Sequence, residues 1–396
     1  MGQFRFLTAG ESHGKGLVAV IEGMVAGLPV SEDYIAQDLK RRQAGYGRSA
    51  RMEIEQDKAE IISGVRHGLT IGSPISLLIW NRVWKDWQEI MSLVAADKEI
   101  LPLTSPRPGH ADLAGVIKYG IEDIRPILER ASARETAARV AVGAVARRFL
   151  EELGIAIHSH TISIGRHRAK QPKLMDWQQV ESSPVRCADA AAGKTMIAAI
   201  DEAKAEGDTL GGVFELVATG VPVGLGSHVQ WDRRLDGQIA QAIVSINAVK
   251  GVEIGAGFSI ANVKGSQAQD IIELSPEGVT PPWNRTTNRA GGIEGGISNG
   301  QPIVVRAVVK PIATLGKSLP SVDLRSGKKA EAHYERSDIC VVPAAGVIGE
   351  ATLAIVLTNA MLEKFGGDHL KETLANYKNY ISSAYSRNRH ATSESK

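Results

Sequence analysis

Ile339-Cys-Val-Val-Pro-Ala-Ala-Gly-Val-Ile-Gly-Glu-Ala-Thr-Leu-Ala-Ile-Val-Leu-Thr-Asn-Ala-Met-Leu362 is the most apolar window of the chain. It is long enough to cross a membrane, yet Pro343 and Glu350 interrupt it, so it reads as a buried strand followed by a buried helix. Glu335-Arg336 stands just upstream and Gly366 just downstream. The same order occurs earlier, where Glu129-Arg130 precedes a second long apolar helix that stops at Gly154. Gly72-Ser-Pro-Ile75 and Gly300-Gln-Pro-Ile303 each open an apolar strand. The repeated order predicts two similar halves related by a pseudo-two-fold axis, with a site at their junction. Arg130 and Arg336 would then approach one cavity from opposite sides.

Composition narrows the function classes. The chain has 396 residues, 43% hydrophobic and 23% charged, enough for one large core or two ordinary ones. A net charge of +2 gives no basic field that would favour nucleic acid or a membrane surface, so any anion site must be local. Cys187 and Cys340 lie far apart and form neither a disulfide framework nor a metal cluster, which suits a reducing cytoplasm. His158 and His160 share one face of a strand over 155–164, but no Cys or acid accompanies them and no metal is expected. The first residues, Met-Gly-Gln-Phe-Arg-Phe-Leu, contain no apolar core of signal-peptide length, and Phe6 stands where myristoylation needs Ser or Thr.

Between these landmarks, strands are expected over 4–8, 17–22, 51–62, 71–80, 213–219 and 302–309. Ser31 can cap a helix over 32–42 with Ile35 and Leu39 inside, and Leu235, Ile239, Ile243 and Ile246 follow helical spacing. Ser132 and Glu135 have the spacing of a capping box that opens the helix ending at Leu153. Trp84 and Trp87 read as surface packing. One catalytic unit spans 1–384, and the polar tail 385–396 is expected to be disordered.

The chemistry gathers in loops. Pro106 and Pro108 fix the backbone of Ser105-Pro-Arg-Pro-Gly-His-Ala-Asp112, and Gly109 lets it turn, which presents Arg107 and His110 together. Ser12 and His13 sit among Gly10, Gly14 and Gly16. Arg48 lies beyond the helix in a Gly-Tyr-Gly turn, able to reach across a cleft. Arg130 and Arg134, four apart beside a helix start, suit a bound phosphate or carboxylate. Residues 291–300 are so rich in glycine that they suit a flat ligand lying against the backbone. Gly193-Lys-Thr195 has the tail of a P-loop, but Ala188 replaces its first glycine and no apolar strand precedes it. Six arginines and two separate histidines suit proton transfer on a small polyanionic metabolite, by a lyase or a transferase.

Gly10-Glu-Ser-His-Gly14, Arg42 through Gly-Tyr-Gly-Arg48, Arg107-Pro-Gly-His-Ala-Asp112, Arg130-Ala-Ser-Ala-Arg-Glu135, Asn247 through Gly255, Gly-Gly-Ile-Ser-Asn-Gly300 and Arg336-Ser-Asp338 closely resemble the chorismate synthase family. The resemblance runs in order through residues 1–380. It implies an α+β fold, a β-α-β sandwich with helices packed between two antiparallel sheets, assembled as a homotetramer. It implies 1,4-anti elimination of phosphate from 5-enolpyruvylshikimate 3-phosphate, with reduced FMN required although no net redox change occurs.

By matching position, the resemblance gives His110 the place beside the flavin, His13 the protonation of departing phosphate, and Ser12 and Asp338 a relay. Arg42, Arg48, Arg107, Arg134 and Arg336 would clamp substrate, and Arg42 and Arg48 also match NADP positions. Arg130, Ala131, Ser132, Asn247, Ala248, Gly295, Lys310, Pro311, Ile312, Ala313, Thr314 and Arg336 correspond to flavin contacts. The chain carries no added nucleotide motif, so a separate flavin reductase, with NADPH as the source of electrons, is expected. A flavin-independent lyase or transferase on another phosphorylated carboxylic acid would use the same arginines. A non-enzymatic nucleotide-binding protein would rest on Gly193-Lys-Thr195.

Overall fold

The computed structural model describes residues 4–49, 54–95, 99–172, 174–276, 279 and 281–386. The elements that position the site are, in chain order, β1 (Arg5–Ala9), β2 (Gly16–Glu22), α1 (Glu32–Gln43), β3 (Glu60–Ser63), β4 (Ile75–Trp80), α2 (Asp112–Tyr119), α3 (Arg125–Ala131), α4 (Thr136–Glu152) and β5 (Ala156–Ile164). They continue with β6 (His167–Arg168), α5 (Ala190–Ala205), β7 (Gly212–Thr219), α6 (Leu235–Val244), β8 (Val249–Ile254), β9 (Ile303–Val309), α7 (Val342–Phe365) and α8 (Leu370–Ser386). The fold is α+β.

Two antiparallel sheets carry the strands, one in the order β1-β2-β4-β3 and the other in the order β8-β9-β7-β5-β6. Period-two alternation decides which face of the first sheet is buried: Leu17, Ala19 and Ile21 of β2 and Ile75, Leu77 and Ile79 of β4 are at most 1% exposed. Helix α4 packs on β1, β2 and β4, helix α7 packs on β5 and β7, and the two helices pack on each other. Helix α7 is apolar nearly all round, the mark of a buried helix, and 94% of its most apolar 18-residue window is enclosed by the fold.

The approach of α4 to α7 depends on small residues. A Cβ on Gly143 would stand 2.3 Å from the Cβ of Ala351 and 2.6 Å from its Cα, so only glycine allows this crossing. Glu350, one residue earlier on α7, is fully buried and meets Arg41 at 2.8 Å, Arg147 at 2.6 Å, Arg186 at 3.1 Å and the Ser159 hydroxyl at 2.6 Å. Burial alone would raise its carboxyl, but the three guanidinium groups hold it well below the usual carboxylate range.

The structure corrects several expectations. Residues 339–341 form no strand; Cys340 makes a single parallel bridge to Leu210, and Pro343 sits in the first turn of α7 instead of separating two elements. The expected strand over 51–62 survives only as β3, with residues 51–53 outside the described ones. The glycine-rich run 291–300 is not a bare ligand surface: it forms a small hairpin of Ile293–Glu294 with Ile297–Ser298. Gly291 serves the crossing of two backbones, since a Cβ there would stand 2.3 Å from the Gly255 nitrogen. Of the polar tail, Tyr385 and Ser386 finish α8 and the rest lies outside the described residues. Gly193-Lys-Thr195 lies inside α5, capped by Asp189, where no phosphate loop exists.

Candidate active site

Both long helices begin at one cavity of about 540 Å³: Thr136 opens α4 on its wall, and Val341, Ala344, Ala345 and Ile348 supply the start of α7. Helix N-termini carry positive partial charge, so the fold itself biases this space toward anions. Arg42, Arg48, Arg107, Arg134, Arg336, Lys250 and Lys310 also line it, against the acids Glu335 and Asp338.

The cations are held in place from behind. Arg42, on the inner face of the last turn of α1, donates to the Thr136 hydroxyl at 2.9 Å and the Ala133 carbonyl at 3.0 Å. Its guanidinium is pushed down to about 10 by burial, with Asp57 opposing and the Arg48 and Arg134 charges adding to the effect. Arg134 donates to Asp57 at 2.5 Å, to Asn81 at 3.0 Å and to Glu55 at 3.4 Å. Arg48 pairs with Asp338 at 2.9 Å, and the Ser49 N–H donates to the same carboxylate at 2.6 Å. Arg336 is exposed and makes no ion pair among the described residues.

The segment Ser105 to Asp112 folds on its own terminal carboxylate. Asp112 accepts from the Arg107 backbone N–H at 3.0 Å, from Arg107 Nε at 2.9 Å and from His110 Nδ1 at 2.5 Å. Burial would raise the Asp112 carboxyl, but the hydrogen bonds from His110 and Arg107 hold it well below the usual carboxylate range. Gly109 takes φ +76°, which the turn between Pro108 and His110 requires. Lys310 donates to the Gly109 carbonyl at 2.5 Å, and burial and the nearby Lys250 lower its ammonium from the ordinary lysine value.

Ser12 reaches the cavity and lies 3.2 Å from the Ser132 hydroxyl. Its loop closes tightly, since a Cβ on Gly10 would stand 2.3 Å from the Gly16 carbonyl, and the Asn81 amide donates to Glu11 and Gly14 across it. His13 lies behind this wall. Its Nδ1 is 2.9 Å from Glu129, and its ring stacks on Trp87 at 3.9 Å.

Of the residues singled out in the sequence, the cavity brings together Ser12, His110, Asp338, Arg42, Arg48, Arg107, Arg134, Arg336, Ala131, Ser132, Asn247, Ala248, Lys310, Ile312, Ala313 and Thr314. Four others are not on its wall, and His13, behind Ser12, is one of them. Arg130 turns away to the Thr8 and Gly10 carbonyls and lines a separate groove with Phe6 and Arg139, so it does not face Arg336. Pro311 and Gly295 are also not lining residues, and Gly295 occupies the turn of the 293–298 hairpin.

The reason for the Arg130 error is local: α3 ends at Ala131 and a short 3₁₀ turn, Ala133–Glu135, intervenes before α4, so Arg130 and Arg134 do not share a helix face. The capping box is half formed, because Ser132 accepts from the Arg134 N–H while Glu135 accepts from the Thr8 hydroxyl. Trp87 is not mere surface packing. Sequence reasoning also missed Glu55, Asp57, Asn81, Glu129 and Lys250; only Lys250, inside the 247–255 motif, had a local signal. The His158/His160 pair packs on Trp177, and His160 Nε2 lies 3.0 Å from Glu215; among the described residues its Nδ1 is buried without a partner, and no group of three or more potential ligands that could hold a metal occurs.

The family profile described as chorismate synthase matches residues 4–362. The chorismate synthase of Desulforudis audaxviator is 57% identical over 381 residues, covering 95% of this chain and 97% of that one. That of Streptomyces avermitilis is 52% identical over 392 residues, covering 96% and 98%. A solved structure titled "Crystal Structure of Chorismate Synthase" superposes with a TM-score of 0.78 at 46% identity, over 97% of this chain and 99% of that one. The chain belongs to the chorismate synthase family.

Proposed function

We propose that this chain is the phospholyase that converts 5-enolpyruvylshikimate 3-phosphate to chorismate and inorganic phosphate. The observation that carries the reading is the seven cations around one cavity at the start of two long helices, matched to a substrate with two carboxylates and a phosphate. In the 1,4-anti elimination a C–O bond to phosphate and a ring C–H break, the existing ring C=C shifts as a conjugated diene forms, and negative charge grows on the departing phosphate. Arg42, Arg48, Arg107, Arg134 and Arg336 supply fixed positive charge, and the carboxylates behind them keep several in place before substrate arrives.

The wall also fits a flavin. Leu128, Ile312, Ala313, Ala344 and Ile348 offer an apolar surface beside Lys310, Lys250 and His110, a combination suited to a flat aromatic ring carrying a phosphate. Reduced FMN, which the family requires, supplies the electron-rich ring that loss of a weakly acidic C–H needs. Ala131, Ser132, Asn247, Ala248, Lys310 and Thr314 would hold it. His110, fixed by Asp112, would keep its protonation state, His13 would give a proton to departing phosphate, and Ser12 and Asp338 would relay the proton taken from the ring.

The finer architecture follows the same reading: a sandwich of two similar halves, each supplying a Gly-x-Pro-Ile strand and a long helix on its own sheet, within one domain over 1–384. Exposed apolar residues on the open face of the first sheet, Leu7, Val20 and Trp80, support burial in a homotetramer. Arg48 also lines a neighbouring cavity of about 380 Å³, which suits the NADP positions, although an outside reductase in the cytoplasm remains the expected electron source.

The test is an anaerobic assay with 5-enolpyruvylshikimate 3-phosphate and FMN, with and without dithionite, following chorismate absorbance and phosphate release. Product only with reduced flavin is the expected result. Product without any flavin would favour a flavin-independent lyase, and no product with reduced flavin would overturn the reading.

A further inference from the structure

We infer that Glu129 is the positioning residue that makes His13 a proton donor through its Nε2 atom. The inference rests on the proposed role of His13 as the acid for departing phosphate. Glu129, on α3, is sealed from solvent, and the shortest contacts of its carboxylate are with the Ser12-His13 loop. It accepts from the His13 backbone N–H at 2.7 Å and faces His13 Nδ1 at 2.9 and 3.1 Å, while the Glu129 carbonyl accepts from the Ser12 N–H at 3.2 Å. One glutamate therefore grips both the backbone and the ring of the same histidine.

A carboxylate only accepts, so Nδ1 carries the proton in this pair, and the neutral ring is the Nδ1–H tautomer with its lone pair on Nε2. Nε2 makes no hydrogen bond among the described residues and is not sealed inside the protein. When the ring is protonated, the Nε2 proton is the one free to leave. It would pass to a phosphate oxygen as the C–O bond breaks, and the Nδ1–H bond to Glu129 would persist through the step.

The surrounding groups limit the ring's other choices. Trp87 stacks on the imidazole at 3.9 Å with planes 16° apart, which opposes rotation, and the Arg125 guanidinium lies 5.2 Å from the same indole. Arg125 could compete for Glu129, but it stands 3.5 Å away and is drawn to Glu335 at 2.8 Å. Glu335 in turn meets His333 at 3.4 Å. The imidazole is thus the nearest side-chain partner of Glu129. Nothing in the sequence marks this, because an acid ahead of Arg130 reads equally well as part of a helix surface.

The test compares wild type, His13→Ala and Glu129→Gln. With ¹⁵N-labelled histidine, the signal lost in His13→Ala identifies His13, and long-range nitrogen–proton couplings in the neutral form report its tautomer. Wild type should read Nδ1–H and Glu129→Gln should shift toward Nε2–H. Turnover of Glu129→Gln should fall by about 100-fold with KM for substrate within about threefold, as expected for a lost acid and not a lost binding contact. An Nε2–H tautomer in the wild type overturns the inference without any Glu129 variant, so failure of Glu129→Gln to fold would not shield it. Full turnover in His13→Ala removes the acid role and this inference with it. Loss of turnover in His13→Ala with full turnover in a folded Glu129→Gln removes Glu129 alone and leaves the proposed role of His13 standing.

Discussion

Arg134 and Asp57 meet at 2.5 Å, with side chains 2% and 0% exposed, and the second oxygen of Asp57 faces Arg42 at 3.4 Å. One buried carboxylate therefore serves two arginines of the cavity. Replacing Asp57 with Asn removes the charge that balances both, and breaking such a buried pair from one side costs about 3–5 kcal/mol. Urea denaturation should show this loss for Asp57→Asn. A midpoint and slope equal to wild type would mean that Glu55 and Asn81 suffice to hold Arg134.

Asp112 makes stability depend on pH in a defined direction. Its folded carboxyl is held below the ordinary value of 3.8 by His110 and Arg107, against the effect of burial. A carboxyl depressed in this way contributes stability that is fully present above about pH 4 and is lost as pH falls toward and through its folded value. The gap in thermal midpoint between wild type and Asp112→Asn should therefore be constant from pH 5 to 7 and narrow steadily below about pH 4. A gap that stays constant down to pH 2 would show that the pairing with Arg107 and His110 is not what Asp112 contributes.

What was legible in the sequence was local. Ser31 caps α1 through a hydrogen bond to the Tyr34 N–H three residues on, and Arg107, His110 and Asp112 build their cluster within six residues. Spacing rules describe such contacts directly. Asp57 and Arg134 are 77 positions apart, and the Trp87 ring reaches His13 from a short helix, Trp84–Trp87, after β4, so no periodicity could pair them. The α+β class was readable because α7 is apolar around its circumference and the strands alternate. The direction of Arg130 was not, because a single 3₁₀ turn between α3 and α4 decides it.

Gly143 tests whether the α4–α7 crossing sets the geometry of the site. Both helices begin at the cavity, and a Cβ on Gly143 would overlap Ala351, including its backbone at 2.6 Å. Backbone cannot swing aside as a long side chain does, so Gly143→Ala should push the helices apart. Overpacking of this kind costs about 1–3 kcal/mol, even though alanine is the better helix former. A lowered thermal midpoint is expected, and an unchanged or raised one would show that α4 and α7 can separate freely.

Arg336 separates binding from folding. It lines the cavity from an exposed position and makes no ion pair among the described residues, whereas Arg134 is buried against Asp57 and Glu55. Removing Arg336 leaves no buried partner uncompensated, so the urea stability of Arg336→Ala should stay within about 0.5 kcal/mol of wild type. A hydrogen bond to a charged group contributes about 1.5–3 kcal/mol, and calorimetric affinity for 5-enolpyruvylshikimate 3-phosphate should weaken by that amount. Arg134→Ala should lose both affinity and stability, because it also strands the acids behind it. If Arg336→Ala binds substrate as tightly as wild type, the free guanidinium is not a substrate ligand, and the clamp consists of the arginines already anchored by acids.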